Sequence, residues 1–169
     1  MSGWRERLDE ARRKGEYGTI PLADIARYSG LDLMRRMIEG TYPPPSIGGA
    51  LDFVLTEAEE GRVVFTGWPS EAHLNPMGTV HGGWAATIMD SALACAVHTT
   101  CAPGEASTTV EFKVNLVRPV LPGMGELTCE GRVVHRGRNL AVSEATLRGP
   151  DGKTLAFGTE TCSILRMPG

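Results

Sequence analysis

The spacing of apolar and polar residues divides the chain into two parts. In residues 1–46 apolar side chains recur at helical intervals, and the first helical segment has few of them, as an exposed helix does. Consecutive prolines at 43–45 exclude a further helical turn there, because proline lacks the backbone donor. The pattern predicts a helical extension and proline-rich linker over 1–46, with helices over residues 4–14, 21–28 and 31–39 and a stop at Gly40.

In the second part, residues 47–169, the apolar period shortens towards two. Residues 50–67 alternate in this way around Glu59, Glu60 and Gly61, which predicts a hairpin. Residues 109–116 alternate as well and predict a strand whose buried face consists of Val110, Phe112, Val114 and Leu116. The remaining strands are predicted over residues 125–135, 139–148 and 154–165.

One long apolar segment interrupts these strands. Residues 80–98 have helical character, and within 82–97 the only charged residue is Asp90. Burying an ionised carboxylate without a partner costs several kcal/mol, so Asp90 is either neutralised, hydrogen-bonded or required for chemistry. The segment predicts an α+β fold in which an antiparallel sheet of five to six strands wraps around a buried helix. It also makes Asp90 the first candidate for a catalytic residue.

Composition narrows the class of protein. The 169 residues suit a single domain, 1–169, and the formal net charge of −3 argues against a nucleic-acid partner. The apolar segment around Asp90 is too short and too interrupted to span a bilayer. The four cysteines show no C-x-x-C pairing, and the N-terminus lacks the apolar core of a signal peptide. We therefore expect a cytoplasmic protein with reduced thiols and no membrane association.

A motif around the start of the predicted helix indicates a resemblance to a known family. The motif begins with Asn75 and a short loop, which lead into the sequence His81-Gly82-Gly83. An acid, Asp90, follows seven positions after the second glycine. This arrangement resembles the signature of the hotdog-fold thioesterases, specifically the PaaI-like and 4-hydroxybenzoyl-CoA thioesterase group. The resemblance covers the chain from about residue 30 onwards. It implies a hotdog fold and hydrolysis of an acyl-CoA thioester.

The resemblance also implies roles for single residues. The backbone N–H of Gly82 at the helix N-terminus would polarise the thioester carbonyl, and Asp90 would either attack that carbonyl or activate a water. Asn75 would orient the thioester or the water, although a plain turn residue before a proline fits the sequence too. We expect His81 to order the loop. Thr109 would hold the carboxylate or the water, with the neighbouring Thr108 left open because the strand register decides between them.

The distance between Gly82 and Asp90 bears on the oligomeric state of the protein. Gly82 and Asp90 lie eight residues apart on one helix, which is about 12 Å at 1.5 Å per residue. An oxyanion donor and a base must converge within about 3 Å of the reacting group. We therefore predict an obligate homodimer with antiparallel central helices and shared sites. A dimer of dimers is the favoured larger assembly, with its arrangement left open.

Arginines near one predicted turn suggest a coenzyme A contact. Arg136, Gly137 and Arg138 form the turn, Arg132 precedes it, and Arg118 is expected on a neighbouring strand end. Guanidinium groups match phosphate geometry, so these residues, with the helix-start Gly83, are candidate substrate contacts. An ordinary solvated basic hairpin is the alternative. His81 has no second ligand at metal spacing, so we expect no metal and no cofactor, coenzyme A being part of the substrate.

The resulting hypothesis is an acyl-CoA thioesterase that releases a small to medium acid, with aromatic acyl groups among the candidates. A rival is a non-catalytic hotdog protein that binds acyl-CoA as a sensor or carrier, in which the acid would be absent or misplaced. A hotdog dehydratase is disfavoured because its catalytic histidine and partnered acid are not found in the sequence.

Overall fold

The computed structural model describes residues 2–166, so that Met1 and residues 167–169 of the predicted domain lie outside the described residues. The helices are α1 (Ser2–Lys14), α2 (Leu22–Arg27), α3 (Gly30–Glu39), α4 (Ser46–Leu51) and α5 (Gly82–His98). The strands are β1 (Phe53–Glu59), β2 (Arg62–Gly67), β3 (Glu105–Leu116), β4 (Leu127–Arg136), β5 (Leu140–Arg148) and β6 (Thr154–Arg166).

The six strands form one antiparallel sheet in the order β1-β2-β4-β5-β6-β3. The hairpins β1-β2, β4-β5 and β5-β6 join neighbours in the chain, whereas β3 crosses to pair with β6 and ends the sheet. This architecture confirms the predicted α+β fold with a long helix against an antiparallel sheet. It also leaves the outer edge of β3 without a strand beside it among the described residues.

Helix α5 packs against the sheet at very short range. Ile88, Met89 and Leu93 on α5 are fully buried. The close approach depends on Gly131 in β4, where an added Cβ would lie 2.2 Å from the carbonyl oxygen of Ala92. The absence of a side chain at this strand position is therefore what lets the helix backbone touch the sheet.

The N-terminal helices follow the expected local signals. Ser29 caps α3 by accepting a hydrogen bond from the N–H of Asp32, and Gly40 ends the helix in the left-handed region with φ of 81°. Leu33 and Met34 bury the inner face of α3 against the core. The predicted helices over 4–14, 21–28 and 31–39 are confirmed within one or two residues.

The start of the predicted hairpin at residue 50 is wrong, because α4 occupies Ser46–Leu51 and β1 begins at Phe53. Glycines at 48 and 49 disfavour a helix in isolation. Both are buried here, and a Cβ on Gly49 would lie 2.3 Å from the hydroxyl oxygen of Tyr17 and 2.4 Å from its ring. Tertiary packing thus overrides the local propensity.

Strand β3 differs from its predicted alternation. It starts at Glu105 rather than at residue 109, and a bulge interrupts its pairing with β6 between Thr109 and Glu111. Val110, Phe112 and Leu116 are 60%, 42% and 56% exposed, so the predicted buried face of the strand is wrong in the single chain. The bulge keeps Thr109, opposite the buried Cys162, on the face that carries α5. Thr108 faces away.

Two further observations concern environment. Among residues 2–166 no helix is long and apolar enough to cross a bilayer. Cys95, Cys101, Cys129 and Cys162 are all free thiols. The thiols agree with the expectation of unpaired cysteines.

The contact between α5 and β4 yields a test of the packing. Gly131→Ala should lower the free energy of unfolding by about 3 kcal/mol, because the new methyl group meets backbone atoms of Ala92 that cannot rotate away. Urea unfolding of the purified protein measures this loss. Thr128→Ala, on the exposed face of the same strand, is the matched control and should cost less than about 1 kcal/mol. Equal losses for the two variants would contradict the packing account.

Candidate active site

The N-terminus of α5 presents one backbone donor to its surroundings. His81 caps the helix, and its Nδ1 accepts a hydrogen bond of 2.8 Å from the N–H of Gly83. The N–H of Trp84 bonds to the carbonyl oxygen of His81. Within the described part of the chain no acceptor contacts the N–H of Gly82. The cap therefore uses the donor of Gly83 and leaves that of Gly82 at the positive end of the helix dipole.

A cavity of about 300 Å³ opens in front of this donor. Asn75, His81, Gly82 and Arg118 all line it, together with apolar side chains at the end of β3. Leu116 closes over the helix start, since a Cβ on Gly82 would lie 2.7 Å from its Cδ1. The structure thus brings four of the predicted site residues to one concave surface.

Asn75 organises the loop that leads into α5. Its Oδ1 accepts from the N–H of Met77, at 2.9 Å, and from that of Thr79, at 3.4 Å. Its Nδ2 donates to the hydroxyl of Thr79 at 2.8 Å. These bonds match the turn role of an Asn before a proline, and they hold the amide at the cavity wall. The second hydrogen of Nδ2 is the part of the side chain that a ligand can use.

Asp90 lies two helical turns away, in a different environment. The hydroxyl of Thr109 is 3.3 Å from Asp90 Oδ1 and 2.9 Å from Glu160 Oε1. The thiol of Cys162 also donates to Glu160 Oε1, at 2.9 Å. Asp90 is half-buried, whereas Glu160 is 0% exposed. Thr109 therefore bridges two carboxyl groups, one of which is fully enclosed.

Glu160 is absent from the residues that the sequence singles out. Burial, with a smaller contribution from the nearby Asp90, raises the pKa of its carboxyl to about 7, although the hydrogen bonds from Cys162 and Thr109 act in the lowering direction. A signal was available in the alternation of β6. Its inward positions are apolar or small, at Ala156, Gly158, Cys162 and Ile164, apart from this one glutamate.

The two parts of the candidate site do not meet within one chain. Gly82 and Asp90 both belong to the continuous helix α5, which holds them about 12 Å apart. The structure brings Asn75, His81 and Gly82 together, and separately Asp90 and Thr109. A thioester of one protomer can contact only one of these groups at a time.

The predicted arginine cluster is wrong for a single chain. Arg136 pairs with Glu105 at the start of β3, at 2.9 Å, whereas Arg118 follows the end of that strand. The 12 residues of β3 separate the two arginines by roughly 35 Å at 3.3 Å per residue. The error arises because β3 crosses the sheet to pair with β6 and carries its two ends to opposite sides.

The turn residues themselves are ordered in different ways. Arg136 donates to Thr100 and to the carbonyl of Gly137, and its ion pair with Glu105 is partly buried. Arg132 pairs with Glu130 at 2.7 Å. Arg138 is exposed, and no ion pair with it occurs among residues 2–166. Arg132 is exposed too, so among these three cations Arg138 is distinguished by being exposed without an ion pair to a described residue.

Comparison with known proteins places this geometry in a family. The model of the family described as Thioesterase superfamily matches residues 77–156, which include the start of α5 and Asp90. A phenylacetic acid degradation-related protein from Ralstonia eutropha JMP134 superposes with a TM-score of 0.70 and 30% identity over 77% of this chain and 98% of that chain. These likenesses confirm the predicted hotdog fold.

Two further relatives carry information about ligands and activity. A Streptococcus mutans UA159 protein, solved bound to acetyl CoA, is 25% identical with a TM-score of 0.62 over 70% of this chain and 92% of that chain. Acyl-coenzyme A thioesterase 13 of Mus musculus is 26% identical over 130 residues, which cover 76% of this chain and 91% of the relative. With the family model and the 30% identity to the Ralstonia eutropha protein, these likenesses show that the chain belongs to the thioesterase superfamily, which confirms the predicted class of enzyme, a thioester hydrolase.

Proposed function

We propose that the protein hydrolyses small to medium acyl-CoA thioesters at sites shared between two subunits. The observation that carries the proposal is that the backbone donor of Gly82 at the start of α5 and the half-buried Asp90 lie on one helix, about 12 Å apart. Both groups have the chemistry that thioester hydrolysis needs, and a second copy of the helix is required to bring them to one carbonyl. The acetyl CoA bound to the Streptococcus mutans relative supports the choice of substrate class.

The edge of the sheet supports a homodimer. Strand β3 has 12 residues, and within residues 2–166 it pairs with a neighbouring strand on one side only. Phe112 and Leu116 on it are 42% and 56% exposed, and Val110 is 60% exposed. A long, apolar edge strand is a template for pairing with another chain. We propose that β3 pairs with β3 of the partner subunit in an antiparallel manner, in an obligate dimer, while further assembly into a dimer of dimers stays a prediction.

This pairing gives a reason for the separated arginines. In an antiparallel pair the end of one β3 lies beside the start of the other. Arg118 would then lie near the turn that holds Arg138 of the partner subunit. A coenzyme A molecule whose thioester occupies the cavity at Gly82 would extend its phosphates towards these guanidinium groups, which match phosphate geometry.

The reaction follows from this arrangement. The thioester oxygen accepts the N–H of Gly82, which stabilises the negative charge that develops on it. Asp90 of the partner subunit either adds to the acyl carbon or removes a proton from the water that does. The carbon–sulfur bond breaks, and coenzyme A leaves as a thiol after taking up a proton. Where Asp90 has added to the acyl carbon, a water then hydrolyses the mixed anhydride and restores the Asp90 carboxylate. Either route consumes one water and releases the free acid. Asn75 and His81 hold the loop in which the carbonyl lies.

Cellular setting and cofactors remain parts of the proposal. Four free thiols support a reducing compartment, and we propose the cytoplasm. Among residues 2–166 no three His, Cys, Asp or Glu side chains come together as metal ligands. Hydrolysis without a metal or redox cofactor, and without a nucleic-acid partner, stays a prediction.

Replacement of Asp90 tests its proposed role in hydrolysis. Asp90→Asn should lower kcat for acyl-CoA hydrolysis about 10³-fold, because the amide can neither attack nor take a proton. Release of free thiol from a panel of acetyl, short-chain, medium-chain and phenylacetyl CoA measures this loss and the acyl preference together. Asp151→Asn, in the exposed turn between β5 and β6, is the matched control and should retain the wild-type rate.

The outcome also separates hydrolysis from binding alone. An acyl-CoA sensor or carrier would bind members of the panel without releasing thiol. Absence of thiol release from every substrate, or a wild-type rate for Asp90→Asn, would overturn the proposed function.

Replacement of Gly82 tests the proposed role of its backbone N–H. Gly82→Pro removes this N–H at the first helical position, where proline is tolerated, and His81 before it already has ψ of 135°, as a residue preceding proline requires. The loss of one oxyanion donor should lower kcat about 10²-fold. Steady-state kinetics with the preferred acyl-CoA measures the effect, and circular dichroism checks that the helix is kept.

Gly82→Ala is the matched control because it adds a Cβ but keeps the N–H. The added atom meets only the flexible end of Leu116, so this variant should lose much less activity than the proline variant. If alanine and proline reduce kcat equally, crowding rather than the lost donor explains the effect, and the assignment of Gly82 fails.

A further inference from the structure

The surroundings of Glu160 bear on whether its carboxyl group is protonated. Its Oε1 accepts two hydrogen bonds, from the hydroxyl of Thr109 at 2.9 Å and from the thiol of Cys162 at 2.9 Å. Its Oε2 is buried and receives no hydrogen bond from any of residues 2–166. An ionised oxygen in that position would bear the full cost of desolvation without compensation.

The hydroxyl of Thr109 cannot satisfy both carboxyl groups, because it has a single proton. The shorter contact is to Glu160 Oε1, at 2.9 Å, and the longer is to Asp90 Oδ1, at 3.3 Å. Thr109 and Cys162 both donate to Oε1, as they would to the carbonyl oxygen of a protonated carboxylic acid. A proton on Oε2 would turn the unsatisfied acceptor into a donor, and the nearby Asp90 carboxylate is an acceptor for it.

We propose that Glu160 is a neutral carboxylic acid whose Oε2 proton is donated to Asp90, and that this bond positions the Asp90 carboxylate for the reaction. Glu160 is thus a positioning residue that acts through Asp90. It fixes one oxygen of Asp90 and leaves the other for the acyl carbon or for water. The inference rests on the proposed function for the role of Asp90, whereas the proton on Glu160 is independent of it.

The groups around the pair favour one shared proton. Helix α5 contributes Asp90 and the Cys95 thiol, β6 contributes Cys162, and β3 contributes Thr109. Burial is the main cause that raises the pKa of the Cys95 thiol to about 12, so that this thiol stays neutral. Burial likewise raises the pKa of the Glu160 carboxyl, to about 7. Two carboxylates in contact cannot both be ionised at little cost, so one of them holds the proton.

The pair predicts a pH dependence with a definite sign. Below the pKa of Glu160, near 7, its proton is present and Asp90 is held in place. Above it Glu160 ionises, the donated hydrogen bond is lost and the two like charges repel. kcat/KM of the wild type should therefore fall on the alkaline side, by about tenfold at pH 8, after subtraction of the uncatalysed rate.

Glu160→Gln separates a positioning role from a merely structural one. Its amide donates to Asp90 and its oxygen accepts from Thr109 and Cys162, yet it does not titrate. This variant should keep kcat within about threefold of the wild type at pH 6 and lose the alkaline decline. Glu160→Leu, which offers no donor, should lose kcat at least about tenfold with little change in KM. Glu144→Gln, an exposed carboxylate on β5, is the matched control and should leave the profile unchanged.

A measurement without substrate tests the proton itself. Infrared difference spectra of the wild type against Glu160→Gln at pH 6 should contain the carbonyl band of a protonated carboxylic acid, and this band should disappear as the pH rises through 8. Circular dichroism and thermal unfolding check that both Glu160 variants fold.

The outcomes distinguish the two claims. A wild type that releases no thiol while showing the band would defeat the proposed function and leave the protonated Glu160 standing. An active wild type without the band, or with the same alkaline decline in Glu160→Gln, would overturn the inference about Glu160. A Glu160→Leu variant with the wild-type kcat would also overturn it.

Discussion

The rigidity of one helix governs the rest of the molecule. Helix α5 lies so close to the sheet that a methyl group at Gly131 would touch its backbone, and its inner face is fully buried. A helix held in this way cannot bend or slide to bring its own residues together. The separation of Gly82 and Asp90 along it is therefore fixed by helical geometry, and the reaction chemistry must be assembled from two copies of the chain.

The same burial explains the polar network at the middle of the helix. A carboxylate at the boundary of an apolar core needs partners, and the sheet supplies them as Thr109 from β3 and Glu160 from β6. Replacing Glu160 by an apolar residue would be the simpler way to fill that space, since a second buried acid is costly to enclose. Its presence is explained if an acid that keeps its proton is useful to Asp90.

Much of this arrangement follows from the sequence, and the failures have identifiable causes. The helix, most of the strands and the candidates Asn75, Gly82 and Asp90 are visible from periodicity and from one motif, whereas the choice of Thr109 over Thr108 needs the strand register. The helix α4 is not, because Gly48 and Gly49 argue against it locally and only their packing makes it stable. Arg118 was expected beside the other arginines because strand order is not encoded in the alternation of residues, and β3 crosses the sheet. The role of Glu160 could not be predicted from the sequence alone, because one must know which side chains of β6 face α5.

Subunit complementation tests the shared site most directly. A heterodimer of an Asp90→Asn chain and a Gly82→Pro chain, purified through two different affinity tags, contains one site with an intact Gly82 and an intact Asp90 and one site that lacks both. The account predicts about half of the wild-type kcat per dimer in this heterodimer, with sedimentation confirming its size, although each parent homodimer is nearly inactive. A heterodimer no more active than the mean of its two parents would contradict the account.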